Sequence, residues 1–298
     1  IPELASRAHL QSISAVVREA LVAANISEND LEAIAVTTEP GLIGSLLVGA
    51  NFAKGLALRL GLPIIPVHHI EGHLYSGCLE DSSVEFPFVA LVVSGGHTSL
   101  FYVQSYSEYS VLGSTRDDAA GEAFDKVAKL LGLGYPGGPL VDALAQKGNP
   151  VAYVFPRSML HDGTYNFSFS GLKTSVRYFL QKTFPIGVPS EILPDICASV
   201  QQAIVDVLVA KAIRAAIENG VKTVVIAGGV SANSGLRKEM KNKGAKHGIR
   251  MIAPRMSFCM DNAAMIGFLA EKKLRENAET YTRLDFRVQS ASLRAKRK

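Results

Sequence analysis

Two histidines, His69 and His73, stand four residues apart directly after a short apolar segment. On a helix this spacing places both imidazoles on one face, roughly 6 Å apart at Cβ, which is close enough to hold one metal ion. A site of this kind needs a further protein ligand, and Asp261 is the best candidate elsewhere in the chain. Two histidines and one carboxylate with open coordination positions are typical of Fe(II) or Zn(II) chemistry.

Each of these residues also has an interpretation without a metal. Histidine pairs at helical spacing arise by chance, and Asp261 is placed to cap a helix that begins at Asn262. A zinc peptidase is disfavoured, because the HExxH motif needs Glu directly after its first histidine, whereas Glu71 follows His69 by two places. We expect the neighbouring His68 to be structural, or to support a ligand, rather than to bind the metal.

Glycine pairs follow two apolar segments that have the pattern of strands. One pair is Gly95 and Gly96, after Ser94, and the other is Gly228 and Gly229. A strand that ends in Gly-Gly lets a ligand approach the backbone and turns N–H groups towards anionic oxygens, although a hairpin or a packing requirement explains such a pair equally well. The second pair opens a helix, whose N-terminus favours an anion. The sequence contains no GxxxxGK[ST], which counts against a Walker-type ATPase.

Polar residues near these loops extend the candidate nucleotide site. Asn233 can bond either a sugar or the helix end, and Asp125 together with Asp142 is placed to accept hydrogen bonds from a ribose. The helix dipole alone accounts for the acidic residues at the start of the helix that carries Asp125, which are Asp117, Asp118 and Glu122. The run 132–137 matches GxGxxG, but it leaves a helix rather than a strand, so we discount it as a dinucleotide fingerprint.

Composition places the chain among folded proteins with one large domain or two ordinary ones. Of its 298 residues, 48% are hydrophobic and 19% are charged. The net charge of +4 permits an acidic partner such as RNA but does not require one, and much of it lies in the tail 294–298. The three cysteines form no CxxC pair, which favours a reducing, cytoplasmic setting. We see no apolar stretch of about 18 residues free of breakers and no signal peptide, and therefore expect no membrane association.

The order of apolar and polar segments predicts helices and strands in alternation, followed by a three-stranded meander that opens a second domain. The predicted helices are 10–24, 45–60, 121–131, 191–219 and those that follow Asn233 and Asp261. The predicted strands are 31–38, 63–67, 88–93, 98–104, 109–115, 221–226 and 250–253. The strands are nearly all apolar, which is typical of a sheet covered by helices.

Eight strings, distributed in order along the chain, are similar to those of one family. They are PELASRAH, EPGLIGSLLVG, HHIEGH, VVSGGHTSL, GEAFDKVAKLLGLGYPGGP, FSFSGLKT, AGGVSANS and MDNAAMI. Together they resemble the TsaD family, the tRNA threonylcarbamoyladenosine transferases, over essentially the whole chain. So many matched strings in one order argue strongly against coincidence.

The resemblance implies an α/β, actin-like fold of the sugar kinase, heat-shock chaperone and actin class, with two RNase H-like lobes around a central cleft. It assigns residues 1–86 and about 263–298 to the first lobe and residues 87–262 to the second. Family members normally begin with a strand and hairpin of the form GIExSCDET. This sequence lacks that string, so we expect the sheet of the first lobe to be incomplete in it.

The resemblance also implies a reaction and its site. The reaction is metal-dependent transfer of threonylcarbamoyl from threonylcarbamoyl-AMP to the exocyclic amine of the adenosine 3′ of the anticodon, in tRNAs that read codons beginning with A, with release of AMP. One divalent ion per subunit, Fe(II) or alternatively Zn(II), is expected at His69, His73 and Asp261. The residues implied to bind the nucleotide, as threonylcarbamoyl-AMP or ATP, are Val92, Val93, Ser94, Gly95, Gly96, Asp125, Gly138, Asp142 and Asn233. No residue is identified as a general base.

The partners implied are tRNA, a paralogous actin-like subunit of the TsaB type that lacks the metal ligands, and a small ATPase of the TsaE type. Because this chain keeps the histidine pair and Asp261, the resemblance implies that it is the catalytic subunit rather than the partner that lacks the metal ligands. Three alternatives remain open: a metal-free nucleotide-binding scaffold that acts only through a partner, a metallopeptidase, and a small-molecule kinase of the same fold, since fold does not fix function.

Overall fold

The computed structural model describes residues 2–81, 83–276, 281 and 284–290. Its helices are α1 (Pro2–Ala24), α2 (Ile43–Leu60), α3 (His69–Leu74), α4 (Ser76–Glu80), α5 (Ala120–Leu130), α6 (Gly137–Ala145), α7 (Ser170–Thr183), α8 (Leu193–Glu218), α9 (Ser234–Lys246), α10 (Met256–Cys259) and α11 (Ala263–Glu276). Its strands are β1 (Ile34–Glu39), β2 (Ile64–His68), β3 (Phe88–Val93), β4 (Thr98–Val103), β5 (Tyr109–Ser114), β6 (Thr223–Ala227) and β7 (Arg250–Ile252). The basic tail noted above, 294–298, lies outside the described residues.

Residue contacts divide the chain into two compact units. The first unit comprises Ile1–Tyr75 and Asn262–Lys298, and the second comprises Ser76–Asp261. The chain therefore leaves the first unit once and returns to it at Asn262. The family resemblance implies lobe boundaries at 86/87 and 262/263, and these boundaries remain a proposal.

The first unit is built on a parallel pair of strands. β1 pairs with β2 in register from Ile34 opposite Ile64, and α2 makes the connection between them. α2 ends where Gly61 takes a left-handed conformation, φ 68°, which is the usual way for glycine to stop a helix. α11 packs against β1, β2 and α3. This packing fixes the end of β2, from which the histidine helix α3 starts.

The second unit contains a five-stranded sheet with the order β5-β4-β3-β6-β7. The central strand β3, Phe-Val-Ala-Leu-Val-Val, is buried at every position, as a strand covered on both faces must be. β3 runs antiparallel to β4 and parallel to β6, so the carboxyl ends of β3 and β6 lie side by side. The long helix α8 supplies much of the core against this sheet, with side chains such as Ile204 and Leu208 fully buried.

Most predicted elements are present, with shifted ends. The first helix begins at Pro2 rather than residue 10, and β1 begins at Ile34 rather than residue 31. β1 begins later than predicted because Glu28–Asp30 forms a short 3-10 turn before it. In this turn Ser27 N donates to the Asp30 carboxylate at 2.8 Å. α6 and α7 were not predicted. Both follow stretches rich in glycine or serine, which hide a helix start.

The prediction of no apolar stretch of about 18 residues free of breakers is wrong for α8, whereas α2 is interrupted by three glycines. α2 and α8 are long and apolar enough to cross a membrane by length and composition alone. Within its most apolar window α8 is 83% buried inside the protein, so its hydrophobicity is explained by the core. The corresponding window of α2 is 22% buried and packs its alanines, Ala50, Ala53 and Ala57, towards β1. One or two such helices are weak evidence for a membrane span.

Candidate metal and nucleotide sites

The histidine helix is started by a histidine that is not a proposed ligand. His68 ends β2, and its Nδ1 accepts a hydrogen bond from Ile70 N at 3.1 Å, which caps α3. The next turns carry His69 and His73 with their ring centroids 4.8 Å apart. His73 is 2% exposed and His69 is partly buried. The spacing of four residues therefore brings the two imidazoles together, as the sequence indicates.

Asp261 directly precedes Asn262, at which the chain re-enters the first unit. The capping role considered for Asp261 belongs to its neighbour, because Asn262 Oδ1 accepts from Met265 N at 2.9 Å at the start of α11. The carboxylate of Asp261 and one ring nitrogen each of His69 and His73 lie within 4.8 Å of one another. Two imidazoles and one carboxylate fit a divalent transition metal, and three protein ligands leave coordination positions open.

A partly buried ion pair joins the helix that carries the histidines to the helix that follows Asp261. Lys273 Nζ, on α11, donates to Glu71 Oε2 at 2.5 Å, and the two side chains are only 19% and 16% exposed. Close packing supports the pair, since a Cβ at Gly72 would lie 3.0 Å from Ile266 Cδ1. Glu71 also contributes to a raised pKa at Glu39, where burial is the larger cause. Sequence reasoning assigned no function to Glu71 or Lys273.

The end of β3 forms the first glycine loop of the candidate nucleotide site. Ser94 N donates to His97 O at 2.8 Å, and His97 N donates to Ser94 Oγ at 3.1 Å, which closes a tight turn. A Cβ at Gly95 or Gly96 would meet nothing within 4 Å, so protein packing leaves this side of the loop open. Val92 and Val93 are fully buried, backbone included, and pair with β4, so they support the loop from within the sheet.

Two other glycines hold this loop in place by close contact. A Cβ at Gly121, in the first turn of α5, would lie 2.6 Å from Ser94 O. A Cβ at Gly228, at the end of β6, would lie 2.5 Å from Val93 O, and Gly228 has a φ of 83°. In the glycine pair after β6, Gly228 is therefore required by packing, whereas Gly229 faces open space.

Separate hydrogen bonds fix the two carboxylates of the candidate site. Asp125 Oδ1 accepts from Gly137 N, at the start of α6, at 2.8 Å. One turn along α6, the Asp142 carboxylate accepts from both Ser234 N (3.1 Å) and Ser234 Oγ (2.7 Å) at the start of α9. A Cβ at Gly138 would meet nothing within 4 Å, unlike one at Gly137, which would lie 2.5 Å from Ala128 Cβ. Gly138 is therefore open where Gly137 is packed.

Asn233 has a fixed orientation. Its Oδ1 accepts from Leu236 N at 2.9 Å and caps α9, and its Nδ2 donates to Gln201 Oε1 at 2.7 Å. The amide oxygen is therefore occupied, and the remaining amide N–H of Asn233 can serve as a donor to a ligand. Sequence reasoning missed Gln201. Its signal was a polar residue inside an apolar helix, and it is 7% exposed on α8.

The solved structures that resemble this chain show its fold. T. kodakarensis HypF has a TM-score of 0.63 at 16% identity, covering 89% of this chain and 43% of that protein. Component A of the Acidaminococcus fermentans (R)-2-hydroxyglutaryl-CoA dehydratase has a TM-score of 0.55 at 16% identity, covering 88% of this chain and 84% of that protein. These likenesses confirm the predicted α/β, actin-like ATPase fold.

Sequence comparisons are more specific. The protein called tRNA N6-adenosine threonylcarbamoyltransferase in Geotalea uraniireducens is 54% identical over 277 residues, which are 93% of this chain and 80% of that protein. The protein of the same name in Cytophaga hutchinsonii is 50% identical over 280 residues, with 93% and 81% coverage. A sequence model of TsaD, described as tRNA N6-adenosine threonylcarbamoyltransferase, matches residues 1–268. The chain therefore belongs to the TsaD family of tRNA N6-adenosine threonylcarbamoyltransferases.

Proposed function

We propose that this chain transfers a threonylcarbamoyl group from threonylcarbamoyl-AMP to the exocyclic N6 amine of an adenosine in tRNA, next to the anticodon in tRNAs that read codons beginning with A. Membership of the family supports this reaction. The observation that carries the catalytic role is the group formed by His69, His73 and Asp261, whose donor atoms lie within 4.8 Å of one another. A scaffold subunit would have no need to keep three such donors together.

The chemistry explains why an activated donor is required. The N6 amine of adenine is a poor nucleophile, because its lone pair is delocalised into the ring. In the donor the threonylcarbamoyl carbonyl is joined to AMP as a mixed anhydride. N6 attacks that carbonyl carbon, the bond from this carbon to the phosphate oxygen breaks, AMP leaves with the bonding electrons, and N6 releases one proton to solvent. Negative charge that develops on the carbonyl oxygen must be met by fixed positive groups.

The residues of the second unit provide a binding site for the adenylate. Backbone N–H groups of Gly95 and Gly96 are available to anionic oxygens, because neither glycine has a packing neighbour in the place of a side chain. Asn233 offers one amide N–H, and Asp125 and Asp142 offer carboxylate oxygens for ribose hydroxyls. In this arrangement the buried Val92 and Val93 hold the loop in place, and open Gly138 gives the ligand room.

A divalent ion bound by His69, His73 and Asp261 would act as a Lewis acid towards developing negative charge. We propose Fe(II) as the native ion and Zn(II) as the alternative, since this donor set suits both. We also propose a cytoplasmic location, and partners of the TsaB and TsaE types. Three buried cysteines without a disulfide are consistent with a reducing compartment.

The test incubates the chain with threonylcarbamoyl-AMP and unmodified tRNA, with and without the proposed partner proteins, and detects threonylcarbamoyladenosine by mass spectrometry. His73→Ala is run in parallel, with His9→Ala as the matched control, because His9 is an exposed histidine on α1. We expect product from the wild type and from His9→Ala, and none from His73→Ala. Product at wild-type level from His73→Ala would overturn the assigned catalytic group.

The scaffold alternative predicts a different result. Adenine nucleotide would bind, but no product would form under any condition, and divalent ions would bind no more tightly to the wild type than to His73→Ala. A peptidase would cleave protein substrates with activity sensitive to His73→Ala, although the position of Glu71 disfavours it. Sugar-dependent formation of ADP would instead indicate a small-molecule kinase.

A further inference from the structure

The segment from Gly163 to Ser190 contains no Asp or Glu, although it includes Lys173, Arg177 and Lys182. All three cations are on α7, which spans Ser170–Thr183. Among the described residues none of the three forms an ion pair. Over the rest of the chain 27 Asp and Glu residues stand against the remaining 28 of 31 Lys and Arg residues, with further local excesses of cations in α9 and in the tail 294–298.

α7 has one core face and one open face. Leu172 and Val176 are buried, and the ring of Phe179 packs against Tyr153 and Phe155 with centroids 4.8 and 5.5 Å apart. At 100° per residue, Arg177 and Tyr178 fall opposite this buried stripe, together with Thr174 and Gln181. Lys173 and Lys182 lie on the two flanks of the stripe, and Lys173 is partly buried. Tyr178 is 66% exposed, although a tyrosine in a stable fold is usually at least half buried. The open face thus combines positive charge, neutral polar groups and an accessible aromatic ring.

The start of α7 is tied to the nucleotide site of the same unit. The Asp117 carboxylate accepts from Ser168 Oγ, Phe169 N, Ser170 N and Ser170 Oγ, at 2.5, 2.8, 3.2 and 2.7 Å respectively. Burial acts to raise the pKa of Asp117, but these hydrogen bonds hold it below its usual value, so the carboxylate stays ionised at neutral pH. Asp117 precedes α5, whose Gly121 lies against the Ser94 carbonyl. The open face of α7 therefore begins close to the Ser94–Gly96 loop.

We propose that the open face of α7, which is centred on Arg177 and Tyr178 and flanked by Lys173 and Lys182, binds the single-stranded part of the substrate tRNA. The proposal rests on the tRNA transferase function given above. Cations spaced along a helix match a phosphate backbone, and an exposed tyrosine stacks on an unpaired base. The adenosine to be modified must present its N6 edge, which demands an unstacked, single-stranded loop at the site. Exposed Arg116, next to the start of α7, extends the same positive surface.

The proposal is tested by fluorescence anisotropy with labelled, unmodified tRNA over a range of salt concentrations. The triple variant Lys173→Gln, Arg177→Gln, Lys182→Gln removes three cations. We expect its Kd to rise at least tenfold. The slope of log K against log salt concentration should fall in magnitude by about 2, since each phosphate contact to a single strand contributes about 0.7. Tyr178→Ala should raise Kd about fivefold or more while leaving the salt slope unchanged, because it removes stacking and not charge.

The matched control removes the same charge elsewhere in the second unit. Lys238→Gln, Lys241→Gln, Lys246→Gln alters three exposed lysines of α9, and we expect tRNA affinity within about twofold of wild type. AMP binding, measured by calorimetry, should be the same in all variants. Thermal melting confirms that each variant is folded.

The possible failures are distinguishable. If the α7 variants bind tRNA as tightly as the α9 control, the proposal is wrong, even where the wild type makes product. If the α7 variants keep tRNA affinity but lose a partner protein, the surface binds protein and the proposal is likewise overturned. If the wild type makes product and the α7 variants leave the KM for tRNA unchanged, the proposed transferase function stands and the α7 surface is rejected. Wild type that neither binds tRNA nor makes product contradicts both.

Discussion

The two candidate sites of this chain are constructed in different ways. The metal group takes two of its three ligands from α3, a helix of six residues, and the third from the residue just before Asn262. The nucleotide site is assembled from parts between Val92 and Ser234, carried by β3, α5, α6 and α9. In the nucleotide site, polar side chains such as Asp125, Asp142 and Asn233 each use one or more atoms to bond the protein.

This difference has a consequence for mutation. Each proposed metal donor is expected to be individually necessary, because catalytic ions of this type are held by three protein ligands. The nucleotide site spreads its binding over many backbone and side-chain groups, so the loss of one group is expected to weaken binding without abolishing it. The expected effects therefore fall in order from the metal donors, to the glycines, to the residues that orient the polar groups.

The largest effect is expected from His73→Ala. The imidazole of His73 is 2% exposed, and a water molecule cannot take its place as a ligand without loss of the site. Substitution of groups that only support a ligand already costs about 10–100-fold in metal affinity or activity, so loss of the ligand itself should exceed about 100-fold. Metal content by elemental analysis and threonylcarbamoyladenosine by mass spectrometry measure the two losses. A loss of activity with full metal content would contradict the assignment.

The glycines offer a comparison inside the nucleotide site. Gly121→Ala places a Cβ 2.6 Å from a backbone oxygen, and we expect a loss of about 1–3 kcal/mol in the free energy of unfolding. Gly138→Ala meets no neighbour, so stability should change by about 0.5 kcal/mol or less while AMP binding weakens about tenfold. Urea unfolding and calorimetry separate the effects. AMP binding by Gly138→Ala at the wild-type level would show that the open space at Gly138 is not reserved for a ligand.

Gln201→Met should weaken AMP binding by about threefold to tenfold, which is the contribution of one hydrogen bond. The physical reason is orientation, because Gln201 Oε1 holds the Asn233 amide with its oxygen turned to Leu236 N. Gln201→Glu keeps the acceptor and should restore affinity. If Gln201→Glu is as weak as Gln201→Met, the role of Gln201 is packing in the core rather than orientation.

The smallest effect is expected at the ion pair beside the metal group. Lys273→Met removes the cation that joins α11 to Glu71, and the metal Kd should rise about threefold, below the range for groups bonded directly to a ligand. Arg275→Met is the control, since its pair with Glu271 on the same helix is exposed. Competition with a chelator measures both. Equal metal affinity in the two variants would remove Lys273 from the account of the site.

The sequence predicts the metal group better than the nucleotide site, for a physical reason. His69 and His73 are related by helical spacing, which is a local property, and only Asp261 needed long-range placement. The roles of Asp125 and Asp142 depend on Gly137 and Ser234, which are distant in sequence and are brought close only by packing of α5, α6 and α9. Gln201 has no local signal beyond being polar in an apolar helix. The buried strands were predicted from their apolar runs, whereas α6 and α7 were missed because glycine or serine precedes them.

The most direct test of the whole account is a metal add-back experiment on the transfer reaction. The chain is stripped with a chelator, checked by elemental analysis, and assayed for threonylcarbamoyladenosine as Fe(II) is returned under anaerobic conditions. We expect no product from the stripped chain, product that rises to a plateau at one ion per chain, and no restoration in His73→Ala. Full product from a chain that contains no metal would contradict the claim that His69, His73 and Asp261 form a catalytic metal site.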